Sequence, residues 1–318
     1  DAIHPNTYGG IFTEASLDGA NRWNKTYAEW TNGSFNSASA QASEYFSKYY
    51  QAIAKASTFI QNVDKCTEAA ASTRGKWKSE ARALRAYYYF ELLRLYGPIP
   101  LIGEDPIPLD ASLEELIKER NSVDECVNFI ATELQSAIDS GDLLQRAGKA
   151  NLGRMDVATC MALKAKLYLY WASPLFNGNT DFFNVKDCYG NQLVSQTYDE
   201  TKWAKAAAAA KDVIELAKAS GLYELYVVAP KATVLPSQRP PHNALYSDKN
   251  YPEGWADVDP LLSYKSNFDG TILGSKNPEL IFTRTRIGTG HINDWAYQST
   301  PKTLKGNNRL AVTQKQVD

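Results

Sequence analysis

Apolar side chains recur every three or four residues in five stretches of the first 220 residues, and this spacing predicts five helices. The predicted helices cover 42–63, Lys78–Pro100, 122–139, Asp156–Trp171 and a final stretch from Asp199 or Thr201 to Ala217. The first carries the stripe Tyr45, Tyr49, Ile53, Ala56, Ile60 and Val63, and the last carries Trp203, Ala207, Ala210, Ile214 and Ala217. The pattern therefore favours a mainly α-helical fold.

The helix predicted over Lys78–Pro100 is the one around which the others are expected to pack. Leu84, Tyr88, Leu92 and Leu95 form one stripe, and the consecutive residues 87–90 are all aromatic. Because four consecutive residues sweep round a helix, this helix is aromatic or apolar on most sides, as helices surrounded by others are. Gly97, Pro98 and Pro100 then predict an abrupt end.

The remaining segments have a loop-like composition. Residues 1–40 are rich in Gly, Asn, Ser and aromatic residues, with one helical piece predicted around Leu17–Trp30. Beyond Gly221, Gly, Pro, Asn and aromatic residues dominate, and only 277–287 reads as a short strand or buried run. We therefore predict a helical region over 1–220, with 1–40 as an N-terminal loop segment, and a loop-rich aromatic segment over 221–318 packed on it.

Two of the predicted helices share a spacing. Ala86, Phe90, Leu93 and Pro98 lie at offsets of zero, four, seven and twelve, and Ala162, Lys166, Leu169 and Pro174 repeat those offsets. Tetratricopeptide repeats place small, bulky, small and proline residues in this way along their second helix. The first helices precede these two by irregular gaps. Degenerate tetratricopeptide-like pairs and a chance match explain the spacing equally well.

Charge and cysteine usage narrow the function classes. The 318 residues carry a formal net charge of −2 and no basic stripe, so the charge gives no reason to expect nucleic-acid binding. The four cysteines form no C-x-x-C pair, so no zinc site is predicted. Cys126 and Cys160 are expected to be buried, and a bridge between Cys66 and Cys188 is left open. No cofactor is predicted.

Several segments resemble one family. The run Glu80–Ile102, EARALRAYYYFELLRLYGPIPLI, is similar to the signature segment of the SusD/RagB family, nutrient-binding outer-membrane lipoproteins of Bacteroidetes. Further similarity occurs over 119–125, 153–178, 277–282 (NPELIF) and 310–318. The last of these resembles the lead into the family's second half, so the resemblance implies a C-terminally incomplete chain.

The resemblance implies fold, location and partner. Family members are mostly α-helical, with tetratricopeptide-like pairs (an α-α superhelix) and a loop-rich remainder. They cap a SusC-like TonB-dependent transporter and hold glycan or another nutrient for polysaccharide utilization, without catalysis. No apolar run here is long enough to span a bilayer, no signal peptide is visible, and the chain starts at Asp1. We therefore expect a surface-exposed outer-membrane lipoprotein whose lipid anchor lay upstream.

Candidate ligand-binding residues come from composition, because the family motifs above are structural. Sugar binding needs flat apolar faces next to planar polar groups. Two loop clusters qualify: Asp18, Arg22, Trp23, Trp30 and Asn32, and Tyr251, Trp255, His291, Asn293 and Trp295. If these clusters adjoin they form a shallow glycan-binding face; any single Trp is also well explained as a core residue.

Two other classes compete with a glycan-binding protein. An all-α glycoside hydrolase needs two carboxylates flanking the bond, and Glu104 with Asp105 or Asp257 with Asp259 are available. A tetratricopeptide-like peptide-binding scaffold would instead present a concave helical groove. The three histidines lack a metal-ligand spacing, and no G-x-S-x-G or phosphate-binding loop occurs, so no metal or catalytic residues are predicted.

Overall fold

The computed structural model describes most of the helical part of the chain and selected segments elsewhere. The described residues are 19–21, 29, 33–104, 110–112, 115, 117–148, 151–230, 241–268, 271–272, 276–283 and 310–312. The chain divides into two compact units, Asp1–Gln51 with Arg286–Asp318, and Ala52–Thr285. The second unit includes both sides of the predicted boundary at 220, which stays a prediction as a division between domains.

Helices dominate the described residues, as the apolar spacing predicts. They are α1 (Ala40–Asn62), α2 (Ala71–Tyr96), α3 (Val123–Asp139), α4 (Val157–Ala172), α5 (Thr201–Ser220) and α6 (Pro260–Ser266). Short 3-10 turns follow at Val63–Lys65 and Thr180–Phe182. Two three-residue strands, β1 (Gly19–Asn21) and β2 (Leu310–Val312), pair antiparallel with Ala20 opposite Ala311.

Consecutive helices of the second unit pack side by side. α2 packs against α3, α3 against α4 and α4 against α5, and α2 also touches α4. Pairs of neighbouring helices stacked in sequence order are the arrangement of tetratricopeptide-like repeats. The predicted mainly α, tetratricopeptide-like fold is confirmed.

The ends of the helices follow local sequence signals. The spacing Ser122-x-x-Glu125 predicts a capping box at the start of α3. The structure confirms it, since Ser122 accepts from the Glu125 N–H and the Glu125 carboxylate accepts from the Ser122 N–H. Asp156 caps α4 by accepting from Thr159 N–H. Gly97 ends α2 with a positive φ of 68°, and its N–H donates to the Leu93 carbonyl.

The helix α2 begins seven residues before the predicted start. Ala71–Trp77 contains Ser, Thr and Gly, whose low helix propensity hides it from a pattern search. A Cβ at Gly75 would lie 2.7 Å from Asp142 Oδ2, so a larger residue there would displace the Asp142 carboxylate. The helix thus approaches the loop after α3 closely.

The family signature on α2 builds the core of the stack. Arg85 is fully buried and donates to Glu133 of α3, to Ser57 Oγ of α1 (3.1 Å) and to Glu104 (3.2 Å). Arg82 forms an ion pair with Glu133 (3.0 Å). The Glu80 carboxylate accepts a hydrogen bond from the Arg154 guanidinium, with Nε–Oε1 at 3.1 Å. Buried charges persist only when paired in this way, so the Glu-Ala-Arg and Leu-Arg elements join α1, α2 and α3.

The aromatic run of α2, residues 87–90, also contributes to the core of the stack. Tyr89 is buried, donates its hydroxyl hydrogen to the Ile102 carbonyl (2.7 Å) and accepts from the Ile102 N–H (3.0 Å). This holds the Pro-rich turn after α2 against the helix, and burial raises the pKa of Tyr89 to about 12. Phe90 is buried as well, whereas Tyr87 and Tyr88 are partly exposed. The expected aromatic core is thus formed mainly by the second half of the run.

The burial pattern differs from sequence expectation on α4 and α5. Ala86, Phe90, Leu93 and Pro98 of the first repeat are buried, but Lys166, Leu169 and Pro174 of the second are exposed. On α5 the predicted face is wrong, since Trp203, Ala207, Ala210 and Ile214 are exposed while Lys202, Ala206 and Ala209 are buried. An unbroken alanine run gives no periodic signal, and Lys202 is buried because Asp124 neutralises it at 2.9 Å.

The bridge left open between Cys66 and Cys188 is absent, because both are free thiols, one partly exposed and the other exposed, whereas Cys126 and Cys160 are buried as expected. Two further expectations are corrected. Residues 276–283 form turns and no strand, because their polar groups bond to neighbouring loops. Gly19–Asn21, within the predicted helical piece, forms a strand because it pairs with Leu310–Val312.

Candidate functional site

The described part of the second predicted cluster lies in an ordered loop, residues 241–259. Its first half is a turn in which the Asn243 carbonyl accepts from the N–H groups of Tyr246 (3.0 Å) and Ser247 (2.8 Å). The Ser247 hydroxyl in turn accepts from the Asn243 N–H at 2.7 Å. We call this segment the aromatic loop.

The second half of the aromatic loop folds back on the first. The Trp255 N–H donates to the Tyr246 carbonyl (3.0 Å), and the Ala256 N–H donates to the Lys249 carbonyl (2.8 Å). Gly254 allows this approach, because a Cβ there would lie 2.1 Å from the Tyr246 carbonyl oxygen. The loop backbone is therefore fixed by its own hydrogen bonds before any ligand binds.

Exposed aromatic rings project from this loop and the helix after it. Tyr246, Tyr251, Tyr264 and Phe268 are 52%, 40%, 69% and 73% exposed, and Trp255 is half-buried. The rings of Tyr264 and Phe268, one turn apart at the end of α6, lie 4.9 Å apart between centroids. Such rings have an apolar face for the C–H side of a sugar, and Tyr adds a hydroxyl group.

A polar network joins the end of α6, the helix that follows the aromatic loop, to the segment 276–283. Glu279 Oε1 accepts from the Tyr226 N–H (2.8 Å) and from the Asn267 amide (3.1 Å). The Asn277 amide donates to Asn267 Oδ1 (2.9 Å), and Arg146 donates to the Asn277 carbonyl (3.4 Å). The Asn-Pro-Glu part of the family resemblance is therefore a structural support for the site.

The segment 276–283 also contacts the helical stack. The rings of Phe282 and Tyr87 are 6.2 Å apart, in an edge-on arrangement. Burial raises the pKa of Tyr87 to about 12, so its hydroxyl stays protonated. Arg146 lies over the Tyr223 ring at 4.4 Å. These contacts hold the segment 276–283, and Tyr223 beside it in the fold, against the helical stack.

The structure describes two of the ten predicted ligand-binding residues, Tyr251 and Trp255, and places both on the aromatic loop. The others lie outside the described residues, and for them the assignment stays a prediction: Asp18, Arg22, Trp23, Trp30, Asn32, His291, Asn293 and Trp295. Sequence reasoning missed Tyr246, Tyr264 and Phe268. The signal for the last two was Asp259-Pro260, which starts a short helix that carries Tyr264 and ends two residues before Phe268.

The carboxylates considered for a hydrolase have structural partners. Glu104 is partly buried, which favours its neutral form, but the charges of Arg82 and Arg85 prevail and lower its pKa. A general acid requires the opposite shift. Asp257 Oδ1 accepts from the Tyr251 N–H (2.8 Å) and Asp259 Oδ1 accepts from the Leu262 N–H (2.9 Å), while Asp105 lies outside the described residues.

The part of the chain that the structure describes lacks two kinds of feature. No group of three or more His, Cys, Asp or Glu side chains in them is arranged to hold a metal ion. Among the described helices, none combines the length and apolar character that crossing a membrane requires.

Comparison with known proteins places the chain in a family. Residues 5–169, just over half of the chain, match the SusD-like family described as starch-binding and associating with the outer membrane. The chain belongs to the SusD-like family. A SusD-like protein of Bacteroides ovatus is 29% identical over 158 residues, which cover 48% of this chain and 27% of that protein.

Solved structures show the same SusD-like fold. The structure of BT4246 is 30% identical, with a TM-score of 0.62, over 70% of this chain and 38% of that one. A structure determined with a xylogluco-oligosaccharide is 24% identical, with a TM-score of 0.51, over 69% of this chain and 38% of that one. The chain thus spans well under half the length of these relatives.

Proposed function

We propose that this SusD-like chain is part of a cell-surface glycan-binding protein that holds an oligosaccharide for a SusC-like TonB-dependent transporter. It acts without catalysis, as a lipoprotein anchored in the outer membrane. The family description as starch-binding supports a glycan ligand, and so does the related protein whose structure was determined with a xylogluco-oligosaccharide.

The observation that carries the proposal is the set of exposed rings on a pre-formed loop. Tyr251 and Trp255 are the ligand contacts that we propose first, and Tyr246, Tyr264 and Phe268 extend the same surface. A core role would bury these rings, whereas Tyr264 and Phe268 are mostly exposed. Asp18, Arg22, Trp23, Trp30, Asn32, His291, Asn293 and Trp295 are proposed as further ligand-binding residues on their composition alone.

Affinity electrophoresis in gels containing soluble polysaccharide tests this proposal. Trp255→Ala and Tyr251→Ala should each weaken retention about fivefold or more, roughly 1 kcal/mol, because each removes one stacking face. Trp203→Ala on α5 and Tyr198→Ala are matched controls, since both rings are exposed outside the aromatic loop. Helical circular dichroism should be unchanged in all four variants.

Two results would contradict the proposal. If the loop variants were retained as strongly as their controls, the aromatic loop would not be part of the ligand site. Release of shorter products from an oligosaccharide incubated with the pure protein would show that the protein is a hydrolase, because a binding protein leaves the glycosidic bond intact.

A further inference from the structure

A groove of about 560 Å³ lies between α1 and α2, on other elements than the aromatic loop. We call it the α1–α2 groove. Its lining residues are Ala52, Lys55, Ala56 and Phe59 of α1 and Trp77, Glu80, Ala81, Leu84 and Tyr88 of α2. A volume of this size falls within the usual range of ligand sites.

Small side chains create this space and aromatic side chains border it. Ala52, Ala56 and Ala81 carry nothing beyond Cβ, so they leave room between the two helices. Phe59 is 43% exposed, and the Trp77 indole is partly exposed. Large apolar rings that border an open groove remain costly to hydrate until another apolar surface covers them.

The groove has the length and spacing of a helix-binding site. Its lining residues recur every three or four positions on both helices, and the stretch Trp77–Tyr88 spans roughly 16 Å at 1.5 Å per residue. This equals about three turns of a docked helix. Helix-in-groove recognition uses apolar anchors at the same three- and four-residue spacing.

The charged residues of the α1–α2 groove indicate what kind of ligand would fit it. Glu80 is buried and neutralised by Arg154, with Nε–Oε1 at 3.1 Å. Lys55 is exposed at the rim and has no ion-pair partner among the described residues. The rim therefore carries one available cation above an apolar interior, which suits a carboxylate next to an apolar face.

Sugar fits the groove poorly. Of its lining residues, only Lys55, Glu80 and the Trp77 and Tyr88 rings carry polar side-chain atoms, and Glu80 is already occupied by Arg154. Hydroxyl-rich ligands need several planar polar partners, because each buried hydroxyl left unpaired weakens binding.

We propose that the α1–α2 groove docks an amphipathic helix of a partner protein. Three or four apolar side chains of that helix fill the space over Ala52, Ala56 and Ala81, and one carboxylate pairs with Lys55. The occupant is thus a protein segment, and this interaction surface is independent of the glycan-binding residues.

Fluorescence anisotropy on the full chain tests the apolar part of this proposal. The probe is a labelled, stapled helical peptide of about 15 residues with leucines at three- and four-residue spacing and one glutamate beside them. Ala56→Trp fills the groove and should weaken binding roughly tenfold or more. Ala52→Leu, a smaller change, should weaken it less. Trp255→Ala should leave peptide binding unchanged.

A charge exchange tests the polar part. Lys55→Glu should weaken the glutamate peptide roughly two- to fivefold and strengthen a matched lysine peptide by a similar factor. Lys76→Glu makes the same charge change on α2 at a residue outside the groove lining, and should alter neither affinity. Circular dichroism confirms that each variant is folded.

Three outcomes would overturn the proposal. Unchanged peptide affinity in folded Ala56→Trp and Ala52→Leu variants would exclude the groove as the binding site. Equal affinity for the two peptides, before and after Lys55→Glu, would show that no carboxylate of the docked helix pairs with Lys55. Self-association in sedimentation that Ala56→Trp abolishes would make the occupant a second copy of the chain.

Discussion

The helical stack and the aromatic loop use polar and aromatic residues in opposite ways. In the stack, Arg85 and Tyr89 are buried and form hydrogen bonds to other parts of the protein. In the aromatic loop, Tyr246 and Tyr251 have exposed rings, and the hydrogen bonds that fix the loop are made by its backbone and its short polar side chains. The stack therefore determines stability, whereas the loop presents side chains that are available for a ligand.

This difference explains why the family signature says little about the ligand. Glu80, Arg82 and Arg85 are recognisable because their partners on α3 and in the segments after α2 and α3 demand those charges at those positions. The exposed rings of the aromatic loop have no such structural requirement. If the aromatic loop binds the ligand, as we propose, variation of the loop would change the ligand while the stack stays the same.

Among these variants, Glu133→Ala should cause the largest loss of stability, and the loss should fall on the helical stack. It leaves Arg85 buried without its main partner, and breaking one side of a buried ion pair costs about 3–5 kcal/mol. Urea denaturation should show this loss, while glycan retention of the protein that remains folded is unchanged.

The control for Glu133→Ala is Lys78→Ala. Lys78 pairs with the exposed carboxylate of Asp64, and water screens a surface pair of this kind, so Lys78→Ala should lower the free energy of unfolding far less than Glu133→Ala does. An equally small loss for Glu133→Ala would show that the buried network does not stabilise the stack.

Glu279→Ala should have an intermediate effect, confined to the support of the aromatic loop. It removes the acceptor of the Tyr226 N–H and of the Asn267 amide, and charged hydrogen bonds contribute roughly 1.5–3 kcal/mol. Hydrogen exchange should accelerate at Tyr226 and along α6 but not along α2. Equal acceleration in both places would mean that the loop and the stack unfold as one unit.

Ser122→Ala should cost about 1 kcal/mol, because it removes the side-chain acceptor for the Glu125 N–H at the start of α3. The capping box also predicts acid sensitivity. Hydrogen bonds from the Ser122 N–H and hydroxyl lower the pKa of Glu125 below 4.5. Its stabilisation is therefore complete above the unfolded pKa and is lost as pH falls through the folded pKa.

Thermal unfolding of wild type and Ser122→Ala from neutral pH down to pH 3 measures this dependence. The difference between the two proteins should shrink on acidification, since both lose the ionised Glu125. A difference that stays constant over that range would show that the carboxylate contributes nothing to the cap.

Prediction from sequence succeeded where a residue's role depends on its neighbours along the chain. The apolar stripe of α1 and the Ser122–Glu125 capping box are local patterns, and both are confirmed. It failed where the role depends on distant partners. Lys202 is buried because its ammonium group pairs with Asp124 at 2.9 Å. Asp124 is 78 positions away in sequence, so the periodicity of α5 does not indicate this contact.

The candidate site was predicted to a smaller extent for the same reason. Tyr251 and Trp255 were identified from composition, because they are aromatic residues in a loop-like segment that is also rich in polar residues. The contacts between segments, such as the bond from the Trp255 backbone N–H to Tyr246 in the loop and that from Tyr226 to Glu279 outside it, have no local sequence signal. Sequence also left the pairing of Cys66 with Cys188 open, although both are free in the structure.

The thiols give the mildest test, since no change in stability is involved. Burial raises the pKa of Cys126 to about 11 and that of Cys160 to about 12, so neither forms thiolate near pH 8 in the folded protein. Cys66 and Cys188 are accessible. A thiol reagent at pH 8 should therefore modify two cysteines in the native protein and all four in denaturant, with α3 and α4 protecting the buried pair.

The two accessible thiols should differ from each other. Cys188 donates to Glu119 Oε1 at 2.7 Å, and this hydrogen bond raises the pKa of Cys188 by favouring the thiol. Glu119→Gln should accelerate modification of Cys188 and leave the rate at Cys66 unchanged, as peptide mapping after short labelling would show. Rapid modification of Cys126 would instead mean that the α3 side of the stack opens as readily as the loops.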